Sequence, residues 1–388
     1  MPPHHRNFGT KQQRLPLDQD LAKKFFGRRA GASPDNSVSF PDFCAVAQAF
    51  GTPNRRLTSA DFRKVLAETL TAPGAVPPMS AAHLDRTNAG CLCCGEPALQ
   101  RETAVISGFL AERAWQGPPT LTQLVTCPRC SFRFFARGLG DDEADNLYHG
   151  YRNPDYLSQR QRWEPFYTDR LHQAVLAWSQ SSVRIDDLRA TLNQAGLPNR
   201  WRYALDHGGS GGHLLQAIHA ERKVVFDPSG YPTLAGVEVA RDVTRIPGNC
   251  DLLLSCQVLE HISDPFAYLR ALADVCSPDA WLYIEVPDET WASHCLPGRL
   301  RDRWLGWLVR QRRLLILADF YSTGFRTQLG VVPPYGFVSL REHLNFFSAA
   351  ALDTLLQRVG LRCVAAGING AGQRYAIART ANSGTATT

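Results

Sequence analysis

A chain of 388 residues is too long for one ordinary core, and an apolar share of 44% is that of a globular protein, so two or three domains are expected. Charged residues make up 20% with a net charge of only +6, which excludes a protein that coats nucleic acid. No run of about 18 apolar residues occurs, which excludes a helical membrane span.

The opening MPPHHRNFGTKQQRLPLDQD has no apolar segment of the secretory kind, so a cytoplasmic location is expected. In that reducing setting, paired cysteines among the eleven point to metal binding more than to disulfides. Residues 1–85 read as an extension, with tail-like ends rich in Gln, Arg, Pro and Ala. Within it, LTSADFRKVLAETL (57–70) is an amphipathic helix capped by Thr58 or Ser59, with Phe62, Val65, Leu66 and Leu70 as its stripe.

Residues 86–137 form a cysteine-rich block. Its pairs Cys91-x-x-Cys94 and Cys127-x-x-Cys130 can deliver four thiolates to one tetrahedral zinc ion, in a zinc-ribbon-like module. Cys93 falls outside the two-residue spacing. The 32 residues between the pairs require a long loop or extra strands. Four thiolates close the coordination shell, so such an ion folds the module and does not catalyse. The remaining cysteines lie mostly in apolar runs and read as core residues.

A helical linker is expected over 138–198: loop and short helix to 167, a helix from near Phe166 to 180, and another over 185–196. Tyr148, Tyr151 and Tyr156 read as packing residues there. From 199, the runs 202–206, 223–227, 251–256 and 281–286 read as buried strands, with helices over 211–220 and 265–276 between them. Asp264 and Pro265 suit the start of the second helix. Strands separated by helices imply an α/β fold with a mostly parallel sheet covered on both faces. Residues 291–340 read as a helical insertion, with LRDRWLGWLVRQRRLLILADFY (300–321) as a single basic amphipathic helix. Packing over the sheet edge, capping an acceptor site, resting on a membrane surface and forming a homodimer face are all open to it. A helix over 350–360 ends at Gly360. The strands 361–367 and 373–380 that follow are too close for a crossover and should be antiparallel. Residues 381–388 read as a disordered tail.

RYALDHGGSGGHLL (202–215) is a strand, a bare turn and a helical start. The dinucleotide spacing G-x-G-x-x-G fails, because Leu214 stands where the third glycine would follow Gly209 and Gly211. Asp206, Gly208, Ser210 and Gly212 instead give an acid beside a turn of small residues, which suits a ligand with a cationic end and no phosphates. Asp227, 21 residues on, can accept two hydrogen bonds from ribose hydroxyls.

At these residues the chain resembles class I S-adenosylmethionine (SAM)-dependent methyltransferases. CDLLLSCQVLEHISDP (250–265) and LYIEVPD (282–288) are similar to their fourth and fifth strand segments, and the likeness extends over about 200–380. REHLNFFSAAALDTLLQRVGL (341–361) resembles a segment of a subgroup acting on sugars and other small molecules, in which cysteine-pair modules also precede the catalytic domain. The resemblance implies a Rossmann-like domain over 199–380, with an antiparallel last strand and SAM as cofactor. Gly208, Ser210 and Gly212 would line the methionine part, Asp206 would sit by the amino group and sulfonium, and Asp227 would hold the ribose. Asp242 would face the adenine amino group. Ser210 stands where the family has glycine, and a positive φ would be tolerated poorly there.

His261 and His343 are the candidate bases, because histidine is matched to proton transfer near neutrality. Glu260 reads as structural or SAM-side. The expected activity is methyl transfer to an O, N or C nucleophile of a small-molecule or glycan-linked sugar acceptor. A zinc-guided RNA methyltransferase is the first alternative, disfavoured by modest charge, so no nucleic-acid partner is expected. A non-catalytic SAM- or nucleoside-binding protein and a dehydrogenase are the others.

Overall fold

The computed structural model describes residues 85–88, 90–295 and 298–380, all within the unit Val65–Thr388. The predicted helix over 57–70 and the tail 381–388 lie outside the described residues. Among the described residues, no helix is long and apolar enough to cross a membrane.

The cysteine block contains β1 (Gln100–Ile106), α1 (Gly108–Trp115), β2 (Thr120–Thr126) and β3 (Arg133–Phe135), so strands and a helix fill the interval between the two pairs. The linker holds α2 (Asp141–Tyr148), α3 (Pro154–Trp163), α4 (Asp169–Ser179) and α5 (Ser182–Gln194). Two full helices thus stand where loop and one short helix were expected. Three acids open the first turn of α2, and Asn153 with Pro154 starts α3, both favourable placements.

The main sheet and one covering helix come from β4 (Trp201–His207), β5 (Ala220–Phe226), β6 (Glu238–Ala240), β7 (Cys250–Cys256), α6 (Pro265–Asp274) and β8 (Cys276–Pro287). The insertion follows with β9 (Ala292–Ser293), α7 (Gly298–Leu308), α8 (Arg312–Leu329), β10 (Val331–Val332), β11 (Ser339–Leu340) and β12 (Asn345–Phe346). The chain closes with α9 (Ala349–Arg358), β13 (Leu361–Ile368) and β14 (Gln373–Thr380).

The main sheet has the order β13-β14-β8-β7-β4-β5-β6. Strands β4 to β8 are parallel, β14 lies antiparallel to β8, and β13 lies antiparallel to β14. This is the Rossmann-like α/β arrangement. Leu188 and Leu192 of α5 pack with Leu252, Leu254 and Tyr283 on one face. Leu269 of α6 and Leu355 of α9 pack with Leu253 and Leu282 on the other. The second core runs on into Cys91, Cys127 and Phe132, so the cysteine cluster shares the hydrophobic interior of that face.

Two predicted helices need correction. Over 211–220 there is only a 3-10 turn, His213–Ala217. Gly212 is left-handed at φ +75° and delays the start, while Ala220 is already paired to Trp201 in the sheet. The few residues left suffice for a short 3-10 segment. The span 300–321 is two helices, broken between Leu308 and Arg312. Leu305 and Leu308 are buried before the break, Leu315 and Ile316 after it, so the apolar spacing runs through without a mark. No glycine or proline stands at the break. Gln311 leaves helical geometry there (φ −113°, ψ 76°).

A second sheet, β11-β1-β2-β3-β12, joins the ends of the chain: β11 lies parallel to β1 and β12 antiparallel to β3. Residues 339–346 therefore cover both edges of the β1–β3 meander.

Candidate active site

One cavity of about 1060 Å³ opens at the carboxyl ends of β4, β5 and β7, the edge at which open α/β sheets bind ligands. Asp206, Gly208, Ser210, Asp227, Glu260, His261 and His343 all line it. Gly212 lies behind the turn, where a Cβ would come 3.1 Å from Val237.

The turn after β4 is left-handed at Gly208 (φ +79°), Ser210 (+52°) and Gly212 (+75°). Ser210 thus adopts the conformation that serine tolerates poorly, and its N–H donates to Asp227 Oδ2 at 2.7 Å. A Cβ on Gly208 would stand 2.5 Å from Val258 Cγ2, with little room to shift. We expect Gly208→Ala to lower stability by about 1–3 kcal/mol, through both strained φ and overpacking, and to widen the turn. Thermal unfolding with and without SAM checks this, and an unchanged profile in both would contradict it.

Asp227 Oδ1 also accepts from Ser229 N–H at 2.9 Å, and each oxygen keeps a lone pair for a ligand. Asp206 is fully buried, and neither of its oxygens accepts a hydrogen bond among the described residues. Burial, with the Asp227 charge adding to it, pushes its pKa to about 7. The nearest basic help, Arg184 of α5, is committed to Glu285 of β8 at 2.5 Å. An orphaned buried carboxylate beside a bare turn fits a cationic ligand, and the amino group and sulfonium of SAM supply such charges.

Asp242 is not brought to the cavity. It is exposed and caps the turn Val243–Arg245, accepting from Thr244 N–H at 2.9 Å and Thr244 Oγ1 at 2.8 Å. Its carboxylate is engaged in a solvated Asx turn and does not line the cavity. Sequence reasoning missed His207, which packs on Phe226 with ring centroids 4.6 Å apart. The Tyr268 hydroxyl lies 2.9 Å from both His207 Nδ1 and Ser255 Oγ, and burial lowers His207 to about 4.

On the neighbouring strand, Glu260 and His261 belong to the turn Leu259–His261 after β7. His343 sits just before β12, and Leu344 N–H donates to Glu260 O at 2.7 Å, which locks the two segments together. The His261 and His343 rings lie 4.9 Å apart. His261 Nδ1 meets Glu342 O at 2.9 Å, and His343 Nδ1 meets Glu289 Oε1 at 2.8 Å. Burial, and next His343, hold His261 down at about 4. Burial also lowers His343, but its hydrogen bond and charge interaction with Glu289 outweigh that and raise it. Tyr148 and Tyr151 line the cavity, contrary to a pure packing role, and the buried Tyr148 hydroxyl has no partner among the described residues. Tyr156 does pack, turned into the core and bonded to Glu342.

The cysteine pairs converge outside this cavity. Cys91 Sγ is 3.6 Å from Cys130 Sγ, Cys94 Sγ is 3.5 Å from Cys127 Sγ, and all four sulfurs lie within 4.8 Å of one another. A tetrahedral ion with bonds of ~2.3 Å separates its sulfurs by ~3.8 Å, so the four thiols fit zinc with little movement. Cys93, though buried, is not part of this group.

Residues 178–366 match the family model Methyltransf_23, a methyltransferase domain. The chain therefore carries a methyltransferase domain over these residues, and the bare turn after β4 lies within it. Among solved structures, it is similar to magnesium protoporphyrin IX methyltransferase from Synechocystis PCC 6803 (16% identity, TM-score 0.34, covering 58% of this chain and 97% of that one). It is also similar to a SAM-dependent methyltransferase from Aquifex aeolicus (16% identity, TM-score 0.31, covering 50% and 88%). A third is the complex of the Haloferax volcanii Trm112 methyltransferase activator with a methyltransferase (13% identity, TM-score 0.32, covering 53% and 96%). At these TM-scores the likeness is too loose to bear on substrate or partner. No curated protein sequence matches the chain.

Proposed function

We propose that the enzyme transfers the SAM methyl group to a small-molecule or glycan-linked sugar acceptor. The observation that carries this is one cavity lined by two chemically distinct groups: Asp206 and Asp227 around the bare turn after β4, and Glu260, His261 and His343 with Tyr148 and Tyr151. Its volume of about 1060 Å³ lies just above the about 300–1,000 Å³ range of ligand pockets, which leaves space for an acceptor beside the cofactor. Gly208 and Ser210 would admit the methionine part, with Gly212 shaping the turn from behind. Asp206 would pair with the cationic end, and Asp227 would accept from the ribose hydroxyls. His261 and His343 stand as candidate bases where the acceptor would lose its proton. Cys91, Cys94, Cys127 and Cys130 would hold a structural zinc.

Calorimetric titration tests the cofactor half. SAM should bind, and Asp227→Ala should weaken it about 100-fold, as expected for two lost hydrogen bonds to a charged group at about 1.5 kcal/mol each. Unchanged affinity would remove the ribose role. Incubation with labelled SAM and panels of nucleotide sugars, small hydroxy compounds or RNA tests the acceptor half, and label transferred to RNA alone would overturn it.

A further inference from the structure

Glu260 is only 1% exposed, and neither carboxylate oxygen accepts a hydrogen bond among the described residues. His261 Nε2 lies 3.8 Å from Glu260 Oε1, and His343 also offers a nitrogen within 4.8 Å. A buried carboxylate left this way is unfavourable unless a cation completes it. The two imidazoles beside it are oriented by their other nitrogens. Glu342 O and Glu289 Oε1 can only accept, so both Nδ1 atoms carry the hydrogen, and each ring in its neutral form presents a lone pair at Nε2. A backbone carbonyl and a carboxylate are the partners that usually orient metal-bound histidine, and Glu289 is itself held by Arg326.

We propose that Glu260, His261 and His343 bind one divalent metal ion at the acceptor end of the cavity, through the Glu260 carboxylate and the Nε2 atoms of both histidines. One donor atom from each residue lies within 4.8 Å of the other two. The segments that supply them are preset: Asn345 Nδ2 donates to Leu259 O at 3.0 Å and to Ile262 O at 2.7 Å, and Leu344 N–H donates to Glu260 O. Two imidazoles and one carboxylate suit manganese, iron, cobalt, nickel or zinc, and leave coordination positions open on the cavity side. The four-cysteine cluster, by contrast, is closed and soft.

The chemical role of this ion rests on the proposed methyl transfer; its binding does not. A cation here fits an acceptor with a hydroxyl beside a second oxygen, such as a vicinal diol or hydroxyketone. Held on the ion, the hydroxyl loses its proton to water more readily. Its oxygen lone pair then forms the O–CH3 bond as the S–CH3 bond breaks, and that electron pair leaves on sulfur as S-adenosylhomocysteine. The two histidines become ligands and not bases.

The test uses Mn2+, which favours oxygen and nitrogen over thiolate, on the full chain carrying one equivalent of zinc. Electron paramagnetic resonance titration should show one bound Mn2+ per chain, and pulsed measurements should show nitrogen couplings from imidazole. Glu260→Gln and His343→Ala should each weaken Mn2+ at least about 10-fold while SAM affinity stays within about threefold. No bound Mn2+ at millimolar concentration, or bound Mn2+ without nitrogen coupling, would overturn the site even if the variants fail to fold. Binding unchanged in folded variants would do the same and return the histidines to a base role. Mn2+ absent with SAM bound defeats the metal alone, whereas Mn2+ bound with SAM rejected defeats the methyl-transfer reading.

Discussion

Asp206→Asn should nearly abolish SAM binding at pH 8 and, in the same protein without cofactor, raise the melting temperature by several degrees. Both effects come from one buried charge. Asp206 is held at about 7 in the fold against an ordinary 3.8. A carboxyl raised on folding binds more protons folded than unfolded, so stability falls as pH climbs from about 4 to about 7. Above that range the full cost, on the order of 4 kcal/mol, is present. The charged groups that set it are Asp227 and Glu285, which raise it further, and Arg184, which opposes them. Asn removes the charge but leaves an amide whose unpaired burial costs about 1–3 kcal/mol, so the net gain is modest. It should be visible at pH 8 and vanish near pH 4. SAM binding runs the other way, because its cation needs the ionised carboxylate: affinity should rise about tenfold per unit from pH 5.5 to 7 and then level. Calorimetry and thermal unfolding at both ends of that range decide the matter. A flat SAM profile, or an Asn variant that binds SAM normally, would show that the cationic end lies elsewhere.

The residues behind this prediction were legible because the parallel strands β4, β5, β7 and β8 each hold a short, mainly apolar buried stretch, and such stretches announce themselves. The antiparallel pair β13 and β14 was equally readable, since a four-residue gap allows little else. What escaped depends on distant contacts. Strands β11 and β12 are two residues each, and only pairing with β1 and β3 makes them strands. β6 is a three-residue edge strand, too short to carry a pattern. The break before α8 crosses an unbroken apolar spacing. Near the site, Asp242 matched by its position in the chain alone, and local hydrogen bonding turned it to solvent. Glu260 read as structural or SAM-side because no sequence signal tells a satisfied buried acid from an orphaned one. Tyr148 read as packing because the direction of a ring depends on which helices meet, here α2 beside His261.

Removing zinc from the four cysteines should damage the acceptor end of the cavity before it damages SAM binding. Metal analysis should return one zinc per chain, and Cys127→Ser should lose it together with several kcal/mol of stability, because folding of such modules is coupled to the ion. The route to the cavity is short. The turn Cys127–Cys130 joins β2 to β3, β3 pairs with β12, and Phe135 N–H donates to Leu344 O at 3.0 Å, one residue from His343. Ser348, the cap of α9, donates to Cys130 O at 2.7 Å, and Arg358 near its end donates to Cys93 O at 2.6 Å. Both cysteine turns are therefore fastened to the segment that carries His343, whereas Asp206 and Asp227 stand on β4 and beyond β5, inside the parallel sheet. Hydrogen exchange on chelated protein should show early loss of protection over 120–135 and 342–347, with β4, β5 and β7 still protected and SAM still bound. A chain that stays folded and protected throughout without zinc would dismiss the structural metal, and simultaneous loss everywhere would dismiss the order in which the two ends fail.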